Sequence, residues 1–193
     1  MAEIHHTTLH PSKLELLTTW LPAQPWYRGT GAPELSKVGG FRLDDPAGAV
    51  GLEFMLVTDT SGDTPVTYHV PMAYRGEPLA GADRALIGTM EHGVLGRRWV
   101  YDGESDPVLI AQARALLTGR AKAQAQNESD APDPTVEISP ADPDLPMTLH
   151  ISRIPASTSA EGTTGGRVTA PWRDPSGSTQ RGVLLESIPA QEQ

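Results

Sequence analysis

The sequence predicts an α+β fold in which a curved antiparallel β-sheet packs against two helices. Between residues 38 and 74, apolar and polar residues alternate with a period of two, which is typical of half-buried strands. The turns that separate these segments are too short for the crossover connection that parallel strands require. One segment with helical spacing precedes this region and another follows it, so the elements indicate a layered arrangement of helices on a sheet.

The first predicted helix begins at a capping box. Ser12 and Glu15 are three residues apart, so each side chain can satisfy a backbone donor at the start of the helix. Leu14, Leu17 and Leu21 recur at helical spacing on one face. A proline directly after Leu21 ends a helix of about two and a half turns, which is too short to be stable in water alone. We therefore expect it to dock on the sheet.

The predicted strands follow one another along the middle of the chain. An aspartate-rich hairpin loop separates the second strand from the third. Residues 82–90 are expected to hold a helical turn or two before a fourth strand. The four segments with strand periodicity are 41–43, 52–56, 66–70 and 97–101.

The second predicted helix has clear signals at both ends. Asp106 can cap its first turn, and Pro107 suits the first helical position. Gly119 is well placed to end it. Between these limits, leucines, Val108 and Ala113 form a broad apolar face.

Polarity divides the chain into three predicted parts. Residues 12–119 form the α+β domain, 120–134 a polar linker, and 135–189 a short β-rich C-terminal segment. A Ser/Thr/Gly-rich stretch at 157–166 is predicted to be a loop. The sequence leaves open whether the C-terminal strands join the sheet of the first domain. Their predicted positions are 136–138, 148–154 and 181–188.

Composition excludes several classes of function. The net charge of −9 argues against nucleic acid or an anionic membrane as partner, and the absence of cysteine excludes disulfides and thiolate chemistry. No secretory signal or membrane-spanning run is found, so a cytoplasmic location is expected. His5, His6 and His10 lie near the N-terminus without a fixed carboxylate nearby, and neither a metal site nor a cofactor is predicted.

Four ordered blocks carry a resemblance to a known family. They are Trp20–Gly29, with the order W-L-P-A-Q-P-W-Y-R-G, and the segments 67–76, 85–92 and 99–108. Together these blocks resemble the N-terminal cap region of actinobacterial maltokinases and of their cap-only relatives. The resemblance covers roughly residues 14–119. It departs from the family where Pro25 replaces the usual arginine and Thr30 the usual basic residue.

The resemblance implies a cystatin-like cap and a context of sugar phosphorylation, with α-glucan or trehalose metabolism around it. Phosphoryl transfer needs a lysine on the phosphates, a loop aspartate and ligands for Mg²⁺. The only lysines are Lys13, Lys37 and Lys122, and no catalytic-loop or Walker sequence is present. We therefore expect a non-catalytic accessory module rather than an enzyme.

Aromatic and arginine residues of the cap-like region are the candidate contacts. One interpretation is that the aromatic set fills the core between sheet and helices. The alternative is a surface for a partner, which would be a sugar kinase in trans, another protein of carbohydrate metabolism, or a second copy of the chain. A further alternative is a sugar or nucleotide bound on a concave face of the sheet. The candidate interface or ligand contacts are Trp26, Tyr27, Arg28, Tyr74, Arg75 and Trp99.

Overall fold

The computed structural model describes residues 9–126, 131–155 and 165–189, and the predicted loop at 157–166 lies almost entirely outside them. The described chain contains two α-helices, α1 (Lys13–Trp20) and α2 (Pro107–Leu117). Its strands are β1 (Leu9–His10), β2 (Leu35–Leu43), β3 (Val50–Asp59), β4 (Val66–Arg75), β5 (Leu86–His92), β6 (Gly96–Asp102), β7 (Glu137–Ser139), β8 (Met147–Ile151), β9 (Arg167–Arg173) and β10 (Thr179–Pro189).

These strands form one antiparallel sheet in the order β1-β5-β6-β4-β3-β2-β9-β10-β8, and β7 pairs with β9 beside this path. The hairpin of β3 and β4 is its centre, with an unbroken register from Val50↔Arg75 to Asp59↔Val66. A mostly antiparallel sheet with two short helices confirms the predicted α+β class.

The C-terminal strands continue the sheet of the cap-like region. β9 joins β2 at Gly39↔Trp172, and the segment after α2 contributes an isolated bridge between Arg42 and Gln124. The C-terminal strands therefore join the sheet of the first predicted domain. Whether residues 12–119 fold independently of the rest stays a prediction. Strand β9 was not predicted from the sequence, because Pro171 lies inside it and a proline argues against a paired strand.

One element was predicted only in part. Residues 82–90 hold a single 3-10 turn at Asp83–Ala85, and the rest of the segment is the strand β5. Gly88 and the polar Thr89 interrupt the apolar alternation there, and a bulge between Leu86 and Gly88 shifts the register. The strand is therefore set by its pairing with β6 rather than by its local pattern.

The two helices cover different faces of the central strands. Leu17 of α1 packs with odd-numbered residues of β3 and even-numbered residues of β4, such as Met55 and Val70. Leu116 of α2 packs with the opposite face, where Phe54 lies. The core on the α2 side of the sheet also contains apolar residues of the C-terminal strands, namely Ile151, Val168, Ala170, Trp172, Leu184 and Leu185.

Both helix starts are confirmed. Ser12 and Glu15 form the predicted capping box at α1. At α2 the fully buried Asp106 accepts hydrogen bonds from the backbone N–H groups of Val108 (2.8 Å) and Leu109 (3.1 Å). A cap of this kind typically contributes about 1 kcal/mol. The helix therefore begins at a residue that is fixed inside the protein.

The chain returns to the central sheet directly after β8. The backbone N–H of His69 in β4 donates to the Arg153 carbonyl (2.8 Å), and the His69 ring Nδ1 lies 2.9 Å from the Ser152 carbonyl oxygen. This return brings the Arg153 side chain beside the N-terminal aromatic residues. Within the described residues, no helix is both long and apolar enough to cross a membrane.

Candidate functional site

Four aromatic rings gather on the α1 face of the sheet. The centroid of Trp26 lies 5.7 Å from that of Trp20 and 5.8 Å from that of Tyr68, and Tyr27 lies 5.7 Å from Tyr68. Tyr68 is fully buried, whereas the other three rings are half-buried. We call Trp20, Trp26 and Tyr27 the aromatic surface. Its rings are supported from below by Tyr68 and remain partly open to solvent.

The end of α1 positions this surface. Leu21 is fully buried and begins a 3-10 turn (Leu21–Ala23), in which a proline stops the α-helix. The side-chain amide of Gln24 donates to the Trp20 carbonyl (3.1 Å), and the backbone N–H of Tyr27 donates to the Gln24 carbonyl (3.0 Å). These bonds fix the loop, so the rings are held in place.

Hydrogen bonds to the tyrosine hydroxyls tie the surface to the sheet. The Tyr27 hydroxyl donates to Asp59 Oδ2 (3.1 Å), and the Tyr68 hydroxyl accepts from the backbone N–H of Arg28 (3.0 Å). Burial raises the pKa of both tyrosines. Burial opposes ionisation of Asp59 too, but backbone donors at Ser61 and elsewhere outweigh it and lower the pKa of that carboxyl. Asp59 therefore anchors the surface as a carboxylate.

Arg153 lies under the aromatic surface, with its guanidinium carbon 5.2 Å from the Trp26 centroid. Its Nη2 donates to both oxygens of Asp102 (2.8 and 2.7 Å) and to Glu104 Oε2 (2.7 Å). The side chain is only 10% exposed, and its buried Nη1 has no hydrogen-bond partner among the described residues. Burial raises the pKa of Asp102 against the opposing effect of Arg153. Arg153 was not among the predicted contacts, because it lies far along the chain from Trp26 and no local pattern indicates their proximity.

Tyr74 belongs to a second, buried polar cluster. Its hydroxyl donates to Glu53 Oε2 (2.7 Å), which also accepts from Lys13 Nζ (2.5 Å). Lys37 Nζ lies 3.7 Å from the other carboxylate oxygen, to which the Gln126 amide donates (3.1 Å). Burial and the Glu53 charge raise the pKa of Tyr74 well above its usual value. Burial disfavours the Glu53 charge, yet Lys13 and its neighbours outweigh it and lower the pKa. This cluster joins α1 and the segment after α2 to the sheet.

Arg75 is held by the start of α2. Its Nε donates to Asp106 Oδ2 (2.6 Å) and its Nη2 to Oδ1 (3.1 Å), a two-point ion pair with a fully buried carboxylate. Trp99 is half-buried on β6, directly opposite Arg75 in the register.

The structure thus brings Trp26, Tyr27 and Arg28 together, and places Tyr74, Arg75 and Trp99 in other parts of the sheet. No group of three or more potential metal ligands occurs within residues 9–126, 131–155 and 165–189, and His5 and His6 lie outside those ranges.

Comparison with known families identifies the central part of the chain. Residues 20–106 match the family model of the maltokinase N-terminal cap domain, which confirms the predicted resemblance over that segment. The match runs from Trp20 of the aromatic surface to the Asp106 cap of α2, and it contains all six candidate contacts. Two residues that bind these carboxylates lie outside the match: Lys13, which binds Glu53, and Arg153, which binds Asp102 and Glu104. No curated protein matches the chain.

Proposed function

We propose that this chain is a non-catalytic, cytoplasmic accessory module that docks onto a protein partner through its aromatic surface. The observation that carries the proposal is the set of half-buried rings at Trp20, Trp26 and Tyr27, which is fixed by the loop after α1 and remains partly open to solvent. Aromatic residues with a neighbouring arginine are the usual energetic centres of protein interfaces, and the exposed Arg28 supplies that arginine.

The rigidity of the surface supports docking. Association costs conformational freedom of side chains, about 0.5–1.5 kcal/mol for each one that becomes immobilised. Here Trp26 is already packed between Trp20, Tyr68 and Arg153, so little further ordering is required. Burial of the remaining exposed ring area then contributes mostly to affinity.

The family match supports a sugar kinase as the partner. Residues 20–106 match a maltokinase cap domain, so the proposed partner is a maltokinase-like catalytic unit that is bound in trans, in α-glucan or trehalose metabolism of an actinobacterium. The sequence lacks the lysine, catalytic loop and metal motif that phosphoryl transfer needs, so the chain itself is not the phosphotransferase.

The test uses a maltokinase from which its own cap has been removed. Isothermal titration should detect binding of this chain, and Trp26→Ser should weaken it by at least about tenfold, which corresponds to about 1.4 kcal/mol. Val94→Ser is the matched control, since Val94 is an apolar residue that is 62% exposed on the β5–β6 hairpin, away from the aromatic surface. Absence of binding, or equal effects of both substitutions, would reject the proposal.

A second candidate function is sugar binding at the same place. The buried Arg153 Nη1 has no hydrogen-bond partner among the described residues, and it lies beside Trp26, Asp102 and Glu104. A pyranose ring can contact an indole while its hydroxyls bond to a guanidinium and to carboxylates. Titration with maltose, trehalose and glucose, followed by tryptophan fluorescence, separates the two functions: saturable binding that Arg153→Lys weakens favours the sugar.

A further inference from the structure

The strand β8 forms one edge of the sheet. It pairs with β10 on one side only, from Leu185↔Ile151 to Pro189↔Met147. The opposite edge of the sheet ends in β1, which has two residues, whereas β8 has five. An exposed edge strand offers unpaired N–H and C=O groups to another chain. β8 therefore offers a five-residue edge for pairing with another chain.

The hydrogen bonds around β8 show which of its backbone groups point outward. Ser152 N–H donates to the Leu184 carbonyl (3.0 Å), so even-numbered positions bond toward β10. The carbonyl of Arg153 accepts from His69 on the other side, as the alternation of an antiparallel ladder requires. The backbone groups of the odd-numbered residues Met147, Leu149 and Ile151 therefore point to the same side as those of Arg153, away from β10. Their outward N–H and C=O groups have no backbone partner among the described residues.

The sequence of β8 is complementary to itself in antiparallel register. Apolar residues alternate with the exposed polar residues Thr148 and His150. If two copies pair about a two-fold axis at Leu149, each Leu149 faces Leu149 of the second copy, and Met147 faces Ile151. Thr148 then faces His150 on the outer side. The apolar and polar faces of the two strands coincide, and about six backbone hydrogen bonds become possible.

We propose that two copies of this chain associate by antiparallel pairing of β8, in the register centred on Leu149, so that their sheets become continuous. A two-fold axis uses the same patch on both copies, as most homodimers do. This association is independent of the aromatic surface and of the proposed kinase partner.

Charge favours this edge over other surfaces of the molecule. The net charge of −9 opposes the approach of a second copy, and charged residues make up 20% of the chain. Met147–Ile151 contains no charged residue, although native edges are commonly protected by lysines. The exposed Ile188, opposite Thr148 on β10, adds apolar area next to the seam. A five-residue edge buries little area, so the dimer is weak and populated at high protein concentration.

The register can be tested with charges at Thr148 and His150. In T148K/H150K every lysine faces a lysine of the second copy, and in T148K/H150E every lysine faces a glutamate. Both positions are exposed, so neither variant disturbs the core; thermal melting checks this. The measurement is sedimentation velocity of the full chain from about 10 µM to about 1 mM, at low and high salt.

We expect wild type to dimerise, T148K/H150K to weaken the dimer at least about tenfold, and T148K/H150E to restore or strengthen it. The double lysine variant carries less net negative charge, so its loss of dimer would result from the local contact rather than from overall repulsion. A wild type that stays monomeric over the whole range overturns the proposal. A dimer that is insensitive to both variants overturns it as well.

Discussion

The ion pair between Arg75 and Asp106 should be one of the largest single contributions to stability in this protein. Asp106 is fully buried, caps α2 and binds Arg75 at two points, while the Arg75 side chain is 19% exposed. Hydrogen bonding to Asp106 raises the pKa of Arg75, so its guanidinium is charged at any ordinary pH. Removing one partner leaves the other charge buried without compensation, which typically costs about 3–5 kcal/mol.

The perturbation is a double-mutant cycle of Arg75→Met and Asp106→Asn. Asparagine keeps an acceptor for the capped N–H groups of Val108 and Leu109, so the charge is removed with little loss of the cap. Each single substitution should cost about 3 kcal/mol, and the double variant should cost clearly less than their sum, with a coupling energy of about 2 kcal/mol. Urea denaturation followed by circular dichroism gives all four free energies of unfolding.

The matched control is the exposed pair of Arg97 and Glu91. It joins neighbouring strands at 2.9 Å, but its side chains are 62% and 59% exposed. Arg97→Met should therefore cost less than about 1 kcal/mol. If the coupling energy between Arg75 and Asp106 is no larger than that between Arg97 and Glu91, the argument from burial is wrong.

Three further predictions concern pH and folding. Burial lowers the pKa of His69 from 6.5 to about 3, so the unfolded chain binds more protons than the folded chain between these pH values. The free energy of unfolding therefore falls as the pH decreases through this window, by about 1.4 kcal/mol per pH unit at most. His69→Asn should flatten that decline in urea denaturation at several pH values. The pKa of Glu53 is lowered, so its contribution to stability is present above pH 4.5 and is lost as the pH falls below that value. Lys13→Met should lower the free energy of unfolding by about 2–4 kcal/mol and move acid unfolding to higher pH. An unchanged midpoint of acid unfolding would contradict the role of this ion pair. A fragment that ends at Gly119 lacks the buried residues that the later strands contribute to the core beside α2, so it should show no cooperative thermal transition. A sharp transition would establish the cap as an independent unit.

Local signals in the sequence accounted for the parts of the fold that depend on neighbouring residues. The capping box at Ser12 and the cap at Asp106 act over three or four positions, so residue types alone indicated both helix starts. The β3–β4 hairpin was also predicted, because its period and its turn lie within one segment. By contrast, β5 and β9 owe their structure to pairing with other strands, which a single segment does not reveal.

The candidate site divides in the same way. Trp26, Tyr27 and Arg28 are consecutive, so their proximity followed from the sequence. Tyr74 and Arg75 are consecutive too, but consecutive residues of a strand face opposite sides, so Tyr74 binds Glu53 whereas Arg75 binds Asp106. Arg153 reaches Trp26 only because the chain after β8 returns to β4, a contact with no local signal.

Hydroxyl-radical footprinting of the complex with a cap-deleted maltokinase tests most directly whether the aromatic surface is the docking site. Mass spectrometry reports the oxidation rate of each aromatic residue, free and bound. Trp99 serves as the internal reference, because it is also half-buried but lies on β6, outside the aromatic surface. We predict that oxidation of Trp20, Trp26 and Tyr27 slows several-fold in the complex while that of Trp99 is unchanged. Equal rates for the aromatic surface in the free and bound protein would contradict the proposed function.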